Sequence, residues 1–152
     1  MEMKKSMGEV DYSRSSGWHV WICRGLVIIV LLLNLQAALW FMISPARFTA
    51  AFELTGVPGR AAIQGVGILF LMWQVPYVFA AIHPVRQRVS LITASLMQLI
   101  GLLGETLLLF SIPVEYGRLR GSITRFIWFD GVGLVLLVAA LLLSFRGRLR
   151  SS

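Results

Sequence analysis

Four long apolar stretches divide the chain, and the polar residues collect between them. A helix that crosses a bilayer needs roughly 20 mainly apolar residues, and each stretch is long enough. We predict helices at residues 18–44, 61–82, 89–112 and 126–145. The pattern indicates an all-α integral membrane four-helix bundle with up-down-up-down topology. Pro76 lies inside the second helix, where we expect a kink, because neighbouring groups in a bundle can satisfy the carbonyl that proline frees.

Short polar segments connect or flank these helices. Residues 83–88 form a tight connection, so the second and third helices should be antiparallel neighbours. Residues 113–125 carry Glu115, Tyr116 and three arginines, and they are expected to form an ordinary interfacial loop. Outside the helical domain, residues 1–17 indicate a mobile tail and residues 146–152 a basic C-terminal tail.

The segment between the first two helices has a pattern of its own. Within residues 46–54, Phe48, Phe52 and Leu54 fall near one face, away from the charged positions. This arrangement favours a short helix lying in the membrane interface. Residues 55–59, with two glycines and a proline, are then expected to form a turn.

The composition supports a membrane protein of one domain. Of the 152 residues, 57% are hydrophobic and 14% are charged, whereas soluble domains carry roughly 25% charged residues. So few charges cannot cover the surface of a soluble globule. The same numbers exclude a disordered chain, which would be poor in apolar residues and rich in charge.

The positive charge indicates contact with lipid headgroups rather than nucleic acid. The chain has fourteen Lys and Arg residues and seven Asp and Glu residues, which gives a net charge of +7. The basic residues lie at the ends of apolar stretches. Nine basic residues fall on the side of the membrane that holds both termini, and five fall on the other. The positive-inside rule therefore places both termini in the cytoplasm. The lipid bilayer is the expected partner.

Several kinds of membrane enzyme do not fit the sequence. Cys23 stands alone, so no intramolecular disulfide can form, and a small packing residue is its simplest role. His19 and His83 lie near helix ends, which argues against a haem held by two histidines. No metal-binding cluster or phosphate-binding loop is present in the sequence. These features favour a role without enzymatic chemistry, and they predict no metal.

Two carboxylates lie within the predicted spans, where a charge costs about 2.5–3.5 kcal/mol. Glu105 is placed roughly 12 Å from the end of the third helix, and Asp130 roughly 7–8 Å from the start of the fourth. All four helices bring a polar residue into this same half of the membrane, with two arginines at the rim. The candidate ligand-binding cluster comprises Glu105, Asp130, Gln64, Asn34, Gln36, Arg60 and Arg125.

The spacing of polar and small residues supports such a cluster in part. Gln98, Gly101 and Glu105 share one helix face, whereas Asn34 and Gln36 are two apart and cannot both point to the same place. A purely structural alternative stays open. In it, Glu105 or Asp130 pairs with a rim arginine, and the polar side chains only connect neighbouring helices.

Short motifs at the helix ends resemble a known group of proteins. They are Ser44-Pro45, Gly56-x-x-Gly59-Arg60 followed by Gly65-x-Gly67, and Phe129-Asp130-Gly131. Together they resemble small bacterial four-helix membrane proteins of the DoxX-like and BphX-like kind, from the first helix to the fourth. The resemblance implies a multi-pass protein of the bacterial inner membrane. Some DoxX members are linked to quinone-coupled oxidation of sulfur compounds, but no catalytic residue is carried over to this chain.

Three functions are open at this point. The first is an accessory or structural bundle that binds a membrane partner, a lipid or a second copy of itself. The second is a binding protein for a lipophilic small molecule such as a quinone; the residues themselves predict no cofactor, and a quinone would enter only with this function. The third is a small proton-coupled transporter in which Glu105 exchanges a proton and a substrate.

Overall fold

The computed structural model describes residues 18–149, and these contain helices and no strand. In chain order the helices are α1 (Trp18–Ile43), α2 (Ala46–Thr49), α3 (Gly56–Ile82), α4 (Arg88–Ser111) and α5 (Gly117–Leu149), with a 3₁₀ turn at Ala50–Phe52 after α2. Four of them are long and apolar enough to cross a membrane. The prediction of an all-helical protein with four such helices is confirmed. The predicted tail at residues 1–17 lies outside the described residues.

Each long helix packs against two others, in an arrangement compatible with a membrane helical bundle. Helix α1 contacts α3 and α5, and α4 contacts the same two helices. On α1 the buried positions recur every three or four residues, so that one face points inward; they are Cys23, Val27, Val30, Asn34, Ala38 and Phe41. Cys23 is a buried free thiol that donates to the Ala140 carbonyl oxygen at 2.7 Å, in keeping with its predicted packing role.

Several small side chains are buried in the interior, and many large apolar ones lie outside. Ala80, Ala94 and Ala140 are fully buried in the core, whereas Leu107 and Val135 are exposed. In water such an apolar exterior would be a liability. In lipid it is the expected arrangement, because small residues at helix interfaces allow close backbone approach and association does not depend on burying large apolar groups.

Helix α3 begins earlier than predicted. Residues 56–59, expected in a turn, form its first helical turn, with Thr55 at the N-cap position. Pro58 is tolerated there because the first turn of a helix needs no backbone N–H donor. Leu54 packs closely on Gly59, where an added Cβ would lie 2.9 Å from the Leu54 Cβ. The proline and glycines that indicated a turn therefore start the helix. Helix α3 then continues through Pro76 to Ile82.

Helix α5 begins at Gly117, so the prediction of a loop across residues 113–125 is wrong for its second part. The Arg120 guanidinium explains this difference: it donates to the carbonyl oxygens of Leu109 at 2.8 Å and Ile112 at 2.5 Å. These oxygens lie at the end of α4 and lack partners within that helix. The arginine that indicated a loop thus caps the preceding helix.

The longer α5 changes the depth of the acidic residue in it. Asp130 lies thirteen residues beyond Gly117, roughly 20 Å along the helix, and not the roughly 7–8 Å expected from a helix starting at residue 126. Helix α5 also extends to Leu149. The first residues of the predicted C-terminal tail are therefore helical, and residues 150–152 lie outside the described chain.

Candidate functional site

A hydrogen-bonded polar network crosses the middle of the bundle. The Tyr77 hydroxyl on α3 donates to Gln98 Oε1 on α4 at 2.5 Å. Gln98 Nε2 in turn donates to Asp130 Oδ1 on α5 at 2.8 Å. Tyr77 and Gln98 are almost fully buried. The network therefore joins three of the four long helices through one amide, whose donor and acceptor are both used.

Two glycines make room for this network. A Cβ added at Gly101 would collide with Asp130 Oδ2, and one added at Gly133 would lie 2.6 Å from Gln98 Nε2. The absence of side chains at these positions lets α4 and α5 approach closely around the polar groups. The small residues beside the polar ones are thus part of the site.

A small cavity adjoins the network, and we call it the polar cavity. Asn34 of α1 and Gln74 of α3 line it together with Tyr77, Gln98 and Asp130. Its volume is about 10 Å³, which is room for one water-sized occupant. A quinone or a lipid head cannot enter a space of this size.

The predicted candidate cluster is only partly brought together. Asn34 and Asp130 line the polar cavity. Glu105 lies one turn beyond Gly101 on the same face of α4, and its Oε2 is buried without a hydrogen-bond partner. Gln36 is exposed on α1. Of the two amides on α1, Asn34 alone therefore faces the bundle interior.

The remaining predicted residues lie elsewhere. Gln64 is exposed and donates to the Met42 carbonyl oxygen at 3.3 Å, connecting α3 to α1. Arg60 is also exposed. Arg125 donates to Ser122 Oγ at 3.2 Å. The hydrogen-bond donor to Asp130 is therefore an amide, and neither arginine supplies it.

A larger cavity opens between α1, α5 and the segment of residues 46–54, which we call the strap. Its volume is about 410 Å³, within the usual range for small-molecule sites. Ten residues line it: Ala37, Phe41, Arg47, Phe48, Ala51, Phe52, Ser122, Arg125, Phe126 and Phe129. We call this cavity the aromatic pocket. Its walls are mostly apolar, with two guanidinium groups and one hydroxyl as the polar side chains.

Phe41 is the central side chain of the aromatic pocket. Its ring centroid lies 4.7 Å from that of Phe48, 6.0 Å from Phe126 and 6.3 Å from Phe52. The rings of Phe41 and Phe48 meet edge to face, a favoured geometry for aromatic pairs. One buried residue of α1 thus contacts both the strap and α5.

The strap is fastened to the start of α5 by hydrogen bonds. Ser122 Oγ donates to the Ala51 carbonyl oxygen at 2.7 Å. Glu53 Oε1 accepts from the backbone N–H groups of Arg118 at 3.1 Å and Leu119 at 3.3 Å. Because the start of a helix carries free N–H donors and a partial positive charge, a carboxylate is favourable there. The predicted short helix is present as α2 and the 3₁₀ turn, and these contacts hold it over the pocket.

Replacing Glu53 with alanine should destabilise the protein by about 1 kcal/mol, as expected for the loss of a helix N-terminal cap. Two N–H donors of α5 lose their acceptor. The measurement is the thermal unfolding midpoint of the purified protein in detergent micelles. Glu115→Ala is the control, because Glu115 is an exposed acid in the connection before α5. Equal midpoints for the two variants would show that the carboxylate of Glu53 does not hold the strap.

The aromatic pocket is the feature that sequence reasoning missed. The sequence places Phe48 and Phe52 on one face of a short helix, but nothing in it relates this face to Phe126 or to Phe129 of the helix-end motif. Their convergence depends on how α5 packs against the strap. Gln98 did carry a signal, since its spacing placed it on one face with Gly101 and Glu105.

Among residues 18–149, no group of three His, Cys, Asp or Glu side chains could hold a metal ion. Comparison with known protein families, curated proteins and solved structures finds no match to this chain. The resemblance to DoxX-like proteins stays a prediction.

Proposed function

We propose that this protein binds a lipophilic small molecule of the quinone kind within the membrane, in the aromatic pocket. The observation that carries the proposal is a cavity of about 410 Å³ that combines five phenylalanine rings with Arg47 and Arg125. Ligand sites are commonly apolar with a few placed polar groups that fix orientation. Flat rings offer stacking surfaces to a planar ligand.

The polar groups of the pocket define the head of the ligand. Guanidinium groups donate hydrogen bonds and cannot accept them, so the head must carry acceptor oxygens. The two carbonyl oxygens of a quinone meet this requirement without bringing a charge into the membrane. Arg47 lies over the Trp40 ring at 5.3 Å, and Arg125 contacts Ser122. Both guanidinium groups are therefore oriented by neighbouring side chains.

We further propose that the four long helices run up-down-up-down in a bacterial inner membrane, with both termini in the cytoplasm. The connections between α3 and α4 and between α4 and α5 span only residues 83–87 and 112–116. Such short connections favour antiparallel neighbours. Reporter fusions at the two termini should give the same cytoplasmic signal, and opposite signals would contradict this topology.

Filling the pocket should abolish ligand retention. Ala37 lines the pocket on α1, and Ala37→Phe would occupy the space of a ligand without removing a polar group. Wild-type protein in detergent micelles is incubated with ubiquinone-1 and examined by native mass spectrometry. We expect retention by the wild type and a loss of roughly tenfold or more in Ala37→Phe, since a filled site cannot desolvate the ligand.

Two further variants locate the binding site. Ala61→Phe adds the same side chain at an exposed position of α3 and should retain the quinone. Glu105→Ala should also retain it, because the polar cavity near α4 is too small for a quinone head. Equal retention by Ala37→Phe and wild type would contradict the pocket. If no variant and no wild-type sample retains quinone, the accessory, partner-binding function would be favoured instead.

A further inference from the structure

The amide of Gln74 leaves an oxygen unpartnered inside the bundle. The residue is 7% exposed, and its Nε2 donates to the Phe70 carbonyl oxygen at 2.8 Å. Exchanging the amide oxygen and nitrogen would place Gln74 Oε1 at 2.8 Å from the Phe70 carbonyl oxygen. Two acceptors at this distance repel each other, so the orientation of the amide is fixed. Among the residues that the structure describes, Gln74 Oε1 then has no hydrogen-bond partner although it is buried, and an unsatisfied buried acceptor is unfavourable. Gln74 lines the polar cavity, where a partner for this oxygen would sit.

The polar cavity has a mixed lining: Phe70, Trp73 and Met97 form its apolar wall, and the remaining side chains carry oxygen atoms. The Tyr77 hydroxyl uses its proton toward Gln98, which leaves its oxygen able to act as a ligand. Asp130 brings a carboxylate, and Asn34 brings an amide. Within residues 18–145, no lysine, arginine or histidine lines this cavity. A carboxylate in the centre of a bundle is tolerated when it is paired with an opposite charge, coordinates a metal ion or takes up a proton.

The size and charge of the cavity select its occupant. A volume of about 10 Å³ admits one water-sized particle, and carboxylate and carbonyl oxygens suit hard cations. A water molecule would satisfy Gln74 but leave the carboxylate uncompensated. A Ca²⁺ ion takes 6–8 oxygen ligands, usually with several carboxylates, whereas a single carboxylate matches a single positive charge. We propose that Asn34, Gln74 and Asp130 form a binding site for one Na⁺ ion at the centre of the bundle. This inference is independent of the aromatic pocket and of the ligand proposed there.

Sodium should therefore stabilise the folded protein. The test compares thermal unfolding midpoints of the full chain in detergent micelles, in NaCl and in choline chloride at equal ionic strength and pH. Because a ligand that binds only the folded state stabilises by mass action, Na⁺ at about a hundred times its Kd should raise the midpoint by about 5 °C. Asp130→Asn and Gln74→Met should both lose this rise.

A matched variant separates the site from general effects of the substitution. Gln36→Met makes the same change at the exposed amide of α1, and it should keep the full response to Na⁺. If Asp130→Asn fails to fold, the Na⁺-dependent rise in midpoint is compared between Gln74→Met and Gln36→Met. Broadening of the ²³Na NMR signal by the wild-type protein is the second measurement. Equal midpoints of the wild type in Na⁺ and choline, or a full response in Gln74→Met, would overturn the proposal. So would a midpoint that responds to pH but not to Na⁺, which would indicate a proton in place of the ion.

Discussion

Replacing Phe41 with alanine is expected to lower the free energy of unfolding by about 3–5 kcal/mol, the range for large-to-small changes in a packed interior. Phe41 is 4% exposed. Its ring lies 4.7 Å from Phe48 on the strap and 6.0 Å from Phe70 on α3 and from Phe126 on α5. Removing the ring leaves a void at the point where three parts of the chain meet.

The measurement for this variant is the thermal unfolding midpoint in micelles, which should fall by on the order of 10 °C. Phe110→Ala is the matched control. Phe110 is 80% exposed on α4, so its loss removes exposed surface and opens no cavity. A similar midpoint for both variants would mean that the Phe41 ring is not packed as described.

Replacing Gly67 with valine should separate α1 from α3 and destabilise the protein by about 1–3 kcal/mol or more, as overpacking does. A Cβ added at Gly67 would lie 3.0 Å from the Ala38 carbonyl oxygen and 3.1 Å from the Phe41 Cβ. The first of these is backbone, which cannot rotate away. The two methyl groups that valine carries on its Cβ would need still more space between the helices.

Gly65 provides the control for this substitution. It lies on the same helix, and nothing stands within 4 Å of an added Cβ. Gly65→Val changes the helix propensity in the same way without a contact to α1. We expect its unfolding midpoint to stay near that of the wild type while Gly67→Val falls clearly below it. An equal fall in the midpoints of the two variants would mean that the altered helix propensity causes the destabilisation. It would contradict the close packing of α1 and α3.

The sequence predicted the four long helices because apolar length is a property of each segment alone. It misplaced the start of α3 because a proline and glycines that are typical of a turn also fit a first helical turn, and it misplaced the start of α5 because residues there bond to groups outside that helix. Arg120 caps the end of α4, and Glu53 caps the start of α5 from the strap. Neither contact has a spacing that could be read from the chain, since each depends on helices meeting in space.

Only part of the candidate site could be predicted from the sequence. A carboxylate in an apolar span is conspicuous, so Asp130 was identified from the sequence. Its partner Gln98 and the neighbouring Tyr77 depend on the rotation of three helices relative to one another. Spacing showed that Asn34 and Gln36 could not face the same place, but burial alone showed which one points inward. The aromatic pocket is lined by α1, the strap and α5 together, so no single segment has a residue pattern that predicts it.

The contact between Glu53 and α5 has a consequence for the order of assembly. The carboxylate lies 65 and 66 residues before the two N–H groups that it binds, and α3 and α4 lie between them in the chain. Because synthesis proceeds from the N-terminus, the strap emerges from the ribosome long before its fastening point exists. A chain that has inserted only its first three long helices carries the α1 and strap sides of the aromatic pocket, and Phe41 and Phe52 cannot yet contact Phe126. The pocket is completed only when the last helix enters the membrane.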